Sequence, residues 1–522
     1  MESRPDARRI PAVALLLAGS VLLSRLLGYV REAVLAYHLG TSAEADAYSA
    51  AFQIPDILFH FLAGGALAIA FVPFYTGVRQ REGQEAAERL LAKVLGTMTV
   101  LAVTATAILW WKAEALVALQ FPRFAPDTQV LTTRLTRIVL PAQIFFIAGG
   151  IVRAALMAHD RFLAQALAPV LYNVGIITGG AAFGATLGAE GFAWGALAGA
   201  ALGPFLVPLL DALSGAGLRI RLRFTPFDRQ FLRYLVIAAP LMLGLTLLTV
   251  DEWYERWFGG LLSEGTIAQL RYARQLMLAP VAVAGQALAT AVLPALSQLL
   301  SEGRRQEFDR VFLQALRAAL GLALLGAGVA VALAAPIVTV VFQRGHFTAA
   351  DTQHVTWLLQ VLAFAVPAWV MQQVAVRGFY SRRDTWRPML LGTAVAFAAI
   401  PLYLALGPRY GAPGLAAAGV IGMSANAVVT LLFLRRVHGG PRLRELGSTF
   451  ARALLLALLA GIAAHQAAGW TALRVPGVLP QLGVGLAVFA AVALPGVFVL
   501  GDAALRETVR RLLQRLQPRG RV

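Results

Sequence analysis

The sequence predicts an all-α polytopic membrane protein: fourteen transmembrane helices, forming two pseudo-symmetric six-helix lobes plus two extra C-terminal helices. Three observations lead there. Of its 522 residues 58% are hydrophobic and only 14% charged, with a mean hydropathy of +0.70, outside the range of soluble globular chains. Apolar segments long enough to cross a bilayer, about 20 residues each, recur along the whole chain. Landmarks of the first half recur in the second at a nearly constant offset.

Taken in order, the apolar segments begin near Pro11, Ala45, Leu90, Leu131, Phe162 and Gly191, then near Phe231, Thr266, Phe308, Val355, Met389 and Pro413, with two more from about Phe450 and Leu482. The first runs on through Arg25 toward the second without a small-residue cleavage site, so it reads as a retained span, not a signal peptide. The connecting loops alternate in charge. One set, with the first ten residues and the tail, holds about 28 Lys and Arg against about 4 in the other set, which by the positive-inside rule predicts both termini in the cytoplasm and an even number of spans. The +18 net charge is therefore an orientation signal, and no nucleic-acid-binding motif accompanies it. Residues Asp502 to Leu516 carry apolar and Arg residues at helical spacing, which fits a helix on the anionic inner leaflet or a solvated helix end.

The repeat rests on three pairs: Pro73 with Pro294, Asp127 in FAPDT with Asp351 in FTAADT, and Gly188 in GAEGFA with Gly411 in GAPGLA, at offsets of 221, 224 and 223 residues. Six spans per repeat is an even number, so the halves share orientation and are expected to relate by an axis along the membrane normal, as in transporters in which one half rocks against the other. The predicted divisions are an N-lobe over 1–225, a C-lobe over 226–446, two further helices over 447–501 and a basic tail over 502–522.

The chain has no cysteine, which removes disulfides, thiol nucleophiles and Cys-based metal sites. No nucleophile elbow, phosphate loop or zinc spacing occurs, so no catalytic residue, metal or cofactor is predicted. Ionisable residues at membrane depth instead mark a pathway, because each costs on the order of 3 kcal/mol in hydrocarbon. Arg25, Arg31, Glu32, Asp46, Asp56 and His60 fall within the first two spans, and Gln53, Asp56, His60 and Gly64 share one helical face. Arg25 and Glu32 share a face of the first span, whereas Arg31 points elsewhere, to a local partner or round the helix. Arg271 and Arg274 lie three apart in the eighth span, and Asp251, Glu252, Glu255 and Arg256 crowd the seventh. Arginines from both halves suit a phosphate-bearing ligand, whose oxygens match the guanidinium fork; ion pairing with the carboxylates nearby is the alternative. Arg134, Arg137 and Arg153 read as structural. Glycines at 191, 195, 199 and 203 form a small-residue seam for close helix approach.

The segments LLSRLLGYVREAVLAYHLG, ADAY, FQIPD, AFVPFY, LPALS, VFQRGHFTAADT and RGFYSRRDT together resemble the MurJ (MviN) lipid II flippases of the multidrug/oligosaccharidyl-lipid/polysaccharide exporter superfamily, over nearly the whole chain. The resemblance implies a hydrophobic groove for the lipid tail built by helices 13 and 14. It implies movement of the undecaprenyl-pyrophosphate-linked peptidoglycan precursor from the inner to the outer leaflet of the cytoplasmic membrane, driven by membrane potential. It also implies a monomer, near cell-wall synthesis enzymes. Arg25, Arg31 and Asp46 match family positions; the family's helix 2 arginine falls on Phe59, followed by His60, and its helix 8 arginine aligns with Gln275, leaving Arg274 one position early. Some members bind sodium between helices 7, 11 and 12, but the segment from Met389 to Leu406 has no acidic residue, and no metal is predicted.

The expected substrate-binding set is thus Arg25, Arg31, Asp46, Asp56, His60, Arg271 and Arg274, and the expected partners are lipid II or a related polyprenyl-pyrophosphate glycolipid together with membrane lipids. Alternatives are export of another polyprenyl-linked glycan or of a drug, or a non-transporting scaffold that recruits cell-wall enzymes. A membrane glycosyltransferase ranks last, for want of an acidic pair in a long extramembrane loop.

Overall fold

The computed structural model describes residues 9–63, 70–382, 384–439 and 443–516. Every regular element among them is helical, as a bilayer demands, because a helix satisfies its own backbone donors and acceptors where water is absent. Among the described residues, eight helices are long and apolar enough to cross a membrane, up to ten if each of two bent pairs is one span.

The shortfall from fourteen has local causes. The second apolar segment breaks at Phe52 into α2 (Ala43–Ala51) and α3 (Gln53–Leu62), after α1 (Arg9–Leu39); Gly64 and Gly65 lie outside the described residues. The segments from Met389 and Pro413 run together as one 53-residue helix, interrupted only at Gly411 with φ 64 and ψ −143. The eighth segment is divided by a π-helical turn at Ala282–Gln286.

Contacts divide the chain into two compact units. The first comprises residues 1–244 with 263–268 and 344–347. After α3 it contains α4 (Val72–Glu82), α5 (Gln84–Trp111), α6 (Ala113–Gln120), α7 (Pro126–Val139), α8 (Ala142–Met157), α9 (Leu163–Leu187), α10 (Ala189–Ala200), α11 (Val207–Leu210) and α12 (Arg229–Leu243). One of its cores gathers Phe71, Tyr75, Leu90, Val94, Ile151, Phe231 and Tyr234. The predicted glycine seam holds α10 against α9: a Cβ on Gly195 would lie 2.5 Å from the Gly175 carbonyl oxygen, and one on Gly199 2.8 Å from that of Tyr172. Only glycine permits that spacing.

The second unit comprises 245–262, 269–343 and 348–522. It contains α13 (Leu247–Gly259), most of α14 (Thr266–Val281), α15 (Ala287–Ser301), α16 (Arg305–Ala332), α17 (Ala334–Phe342), α18 (Ala349–Ala363), α19 (Val366–Tyr380), α20 (Trp386–His438), α21 (Leu443–Arg474), α22 (Val478–Val499) and α23 (Ala503–Leu516). Phe489 and Ala493 of α22 bury against Ala460 and Ala464 of α21.

The repeat landmarks carry matching local structure. Gly188 (φ 52, ψ −131) and Gly411 (φ 64, ψ −143) both sit between two helical runs in a left-handed conformation that favours glycine. Asp127 and Asp351 both lie in a first helical turn, that of α7 and that of α18, where Asp351 completes a capping box with Thr348.

The tail helix α23 turns its apolar face to protein: Leu505 and Val509 are buried with Leu456 and Val497. Asp502 caps it through the Leu505 amide at 2.8 Å and also takes Arg317 Nε at 3.0 Å, while Arg317 Nη1 reaches Glu445 at 2.9 Å. Leu505 and Val509 are therefore not available to a lipid surface.

Asp228 similarly caps α12, accepting from Gln230 and Phe231, and takes the Lys93 ammonium at 2.7 Å. The Lys93 hydrogen bond, with the two capping amides, holds its carboxyl below the ordinary aspartate value. The folded chain therefore binds this proton more weakly than the unfolded one. The stabilisation is complete above about pH 4 and lost as pH falls through the lowered pKa. Asp228→Ala is expected to cost about 1 kcal/mol, read as a lower thermal midpoint of the purified protein at neutral pH, with the difference from wild type closing in acid.

Candidate functional site

The polar residues of the first unit lie on α1, α2, α3 and α9. On α1, Arg31 is half-buried and spans two partners: its Nε and Nη2 meet Glu32 Oε1 at 3.1 and 2.7 Å, and its Nη1 donates to Asn173 Oδ1 on α9 at 3.1 Å. Glu32 is 1% exposed, a buried carboxylate that this guanidinium neutralises. Asn173 Nδ2 in turn donates to the Ser24 carbonyl at 3.1 Å and its hydroxyl at 3.3 Å, fixing α9 against α1. Arg31 thus takes the local partner that its position suggested. Arg25, half-buried, lies two turns earlier on the same helix, next to Ser24.

Asp46 occupies a different setting. It is 2% exposed, and its two oxygens accept from the backbone amides of Gly265 at 2.7 Å and Ala268 at 2.8 Å. Those amides open α14, whose first donors have no intrahelical acceptor. The carboxylate is therefore spent on the backbone and does not face a ligand in this conformation. On α3, Asp56 and His60 are both half-buried and lie four residues apart on one face, and His60 is hydrogen-bonded to the Gly244 backbone. Gln53, one turn before Asp56, is buried. Phe59, at the position of the family's arginine, stacks edge-on with Phe146 of α8.

In the second unit, Arg274 of α14 is 5% exposed. Its Nε donates to Glu255 Oε2 at 2.7 Å, and its Nη2 lies 2.5 Å from both Asp251 Oδ2 and Glu255 Oε1. The Tyr403 hydroxyl of α20 donates to Asp251 Oδ1, and the Trp369 ring of α19 lies 5.9 Å from the guanidinium carbon. The like-charged pair that the i, i+4 spacing placed on one face of α13 is thus held by an arginine inserted from α14. The opposite pair, Glu252 with Arg256, forms its own ion pair on the next face. Arg271, one turn before Arg274, is half-buried and lies close enough for its charge to act on Glu252.

Arg134 pairs with Glu190 at 2.8 Å, and Arg153 donates to the Pro204 carbonyl at 3.1 Å, both internal contacts. Sequence reasoning missed Asn173 and Tyr403. A lone Asn in the apolar run of α9 was a usable signal, because an unpaired amide at that depth is costly; a lone Tyr in α20 was not, because tyrosines are common near membrane interfaces.

The second unit also holds an open apolar groove of about 770 Å³. It is lined by α16 (Leu320, Leu324, Gly328), α19 (Pro367, Met371), α20 (Val428, Leu431) and α21 (Leu454, Leu458, Gly461, Ile462), with Gln360, His465 and Gln466 as its larger polar members. The α22 helix, expected as a groove wall, contributes no lining residue; it packs on Ala460 and Ala464, on another face of α21. No group of three or more His, Asp or Glu suited to a metal ion occurs among the described residues.

Comparison with known proteins agrees with this arrangement. A probable lipid II flippase MurJ of Rhizobium meliloti is 28% identical over 515 residues, 95% of either chain, and the lipid II flippase MurJ of Burkholderia cenocepacia is 27% identical over 81% of this chain and 83% of its own. Among solved structures, a lipid II flippase MurJ in an inward closed conformation superposes with a TM-score of 0.76 at 21% identity, over 94% of this chain and all of the other. An inward-facing multidrug resistance MATE transporter of the MOP superfamily gives 0.67 at 15%, over 81% and 96%. These two likenesses concern the fold. The family profile described as lipid II flippase MurJ matches residues 35–484, most of the chain, and the protein belongs to that family.

Proposed function

We propose that this chain moves lipid II from the inner to the outer leaflet of the cytoplasmic membrane by alternating access, as a monomer with fourteen spans, both termini in the cytoplasm, and two six-helix lobes over 1–225 and 226–446. The observation that carries the reading is the open apolar groove of about 770 Å³, whose largely hydrocarbon lining suits a polyprenyl chain, in a member of the lipid II flippase family. Arg25 and Arg31 take the pyrophosphate, for which the guanidinium fork is suited. Asp56 and His60 hydrogen-bond the glycan. Arg274 and Asp46 hold the helices that carry these groups. Membrane potential drives the cycle, since one charge moved across 100 mV is worth about 2.3 kcal/mol. The chain works beside the enzymes that polymerise the flipped precursor.

The test is complementation of a conditionally flippase-depleted bacterium, with outer-leaflet lipid II measured in the same cells. Growth and external lipid II are expected to return together. Insertion without lipid II outside overturns the substrate assignment and directs the search to other polyprenyl-linked glycans. Filling the groove by Leu458→Trp, at a lining position 54% exposed, is expected to lower external lipid II several-fold at unchanged protein level, because the indole would occupy the space reserved for the tail. Normal external lipid II in that variant would separate the groove from transport.

A further inference from the structure

The segment from Gly217 to Asp228 is among the most arginine-rich connections in the chain, and it belongs to neither the polar sites nor the apolar groove. It is non-helical and runs as a strap across one end of α5. Its backbone fixes it there: the Arg223 amide donates to the Ala92 carbonyl at 2.9 Å, and the Thr225 amide to Thr97 Oγ1 at 3.1 Å. Gly96 makes the approach possible, since a Cβ there would collide with the Arg223 backbone. The Lys93–Asp228 pair closes the far end.

Held extended, the strap sorts its side chains by alternation. Arg219, Arg221 and Arg223 line a cavity of about 210 Å³ with Arg89, Glu85, Glu88 and Ala92 of α5. Leu222 and Phe224 take the alternate positions and are 65% and 56% exposed, with Phe227 beyond them at 88%. Four guanidinium groups meet two carboxylates in the cavity, and one of these, Glu85, lies 3.6 Å from Arg89. Among the described residues, the three strap arginines have no carboxylate or hydrogen-bond acceptor of their own.

The other end of α5 gives the strap its depth. Trp110 and Trp111 are exposed there, at 47% and 70%, as interfacial tryptophans are. From Ala92 to Trp111 the helix rises about 28 Å at 1.5 Å per residue, close to the roughly 30 Å hydrocarbon thickness. With the tryptophans at one boundary, the strap lies at the other. An apolar ridge and an arginine row on alternate sides of one segment at that level suit an interfacial anchor, the ridge in the acyl boundary and the cations among phosphates.

We propose that Arg219, Arg221, Arg223 and Arg89 form a binding site for the phosphodiester headgroup of an anionic phospholipid, with Leu222, Phe224 and Phe227 seated in the adjoining acyl region. The occupant is a structural lipid of the leaflet. The site is independent of the transported substrate.

The experiment uses the full-length protein, delipidated in detergent and titrated with phosphatidylglycerol or phosphatidylcholine, with retained lipid counted by native mass spectrometry. Wild type is expected to prefer phosphatidylglycerol, and R219Q/R221Q/R223Q to lose about 100-fold of that preference, the product of three such charges. An unchanged preference overturns the site. The substitutions spare the backbone bonds that dock the strap; should the triple variant nonetheless fail to fold, F224S/F227S decides, with weakened phosphatidylglycerol retention supporting the proposal and full retention overturning it. A competition with inorganic phosphate separates the sources: displacement of the lipid by millimolar phosphate, together with full lipid retention by F224S/F227S, marks a soluble-anion site and refutes the lipid assignment.

Discussion

Arg274→Ala is expected to destabilise the protein by about 3–5 kcal/mol, the usual cost of removing one partner from a buried ion pair. The side chain is 5% exposed and is shared by Asp251 and Glu255, which are 3% exposed each. Without the guanidinium these two carboxylates face each other in the unit's interior, with the Tyr403 hydroxyl on Asp251. The measurement is the thermal midpoint of the detergent-solubilised protein, together with its level in the membrane. Arg274→Ala combined with Asp251→Asn and Glu255→Gln should recover most of the loss, because neutral amides need hydrogen bonds but no counter-ion. A wild-type midpoint for Arg274→Ala alone would show that the cluster does not hold α13, α14 and α20 together. The combined variant also tests the role of Arg274: recovered folding with recovered transport makes it a structural residue, and recovered folding without transport returns it to the substrate.

For Arg25→Ala the expected loss is in transport. One charge-assisted bond to phosphate is worth about 1.5–3 kcal/mol, so external lipid II should fall about 10- to 100-fold, with the thermal midpoint measured beside it to separate lost binding from lost stability. Arg25→Lys should retain part of the activity, having the charge without the fork. Growth of flippase-depleted cells at the wild-type rate on the Arg25→Ala protein would remove Arg25 from the headgroup site. The same change at Arg31 is a poorer probe. It strands Glu32, 1% exposed, and breaks the bond to Asn173, so lost stability and lost binding would coincide.

These two arginines show how far the sequence could be read. That α1 and α14 carry cations at membrane depth follows from hydropathy and spacing, which are local properties. Whether such a cation faces a ligand or a carboxylate depends on which helix packs beside it. For Arg31 the adjacent Glu32 was visible in the chain, and the pairing was open to inference. For Arg274 the partners lie 19 and 23 residues away on another helix, and for Asp46 they are backbone amides more than 200 residues on. No motif announces a carboxylate that satisfies main-chain donors.

What the sequence determined by itself was the membrane character of the chain, the family and the small-residue seam along α10. Each is written in apolar content, local motifs and spacing, which a bilayer converts directly into helices because unsatisfied backbone is excluded there. Only the tertiary structure decided where spans bend, at Phe52 and by 41° between α18 and α19. It alone decided that α22 stays out of the apolar groove, that α23 packs on protein, and which buried charges neutralise one another. The physical reason is common to these: a buried ion or an apolar face needs a partner, and packing between residues distant in sequence chooses which one.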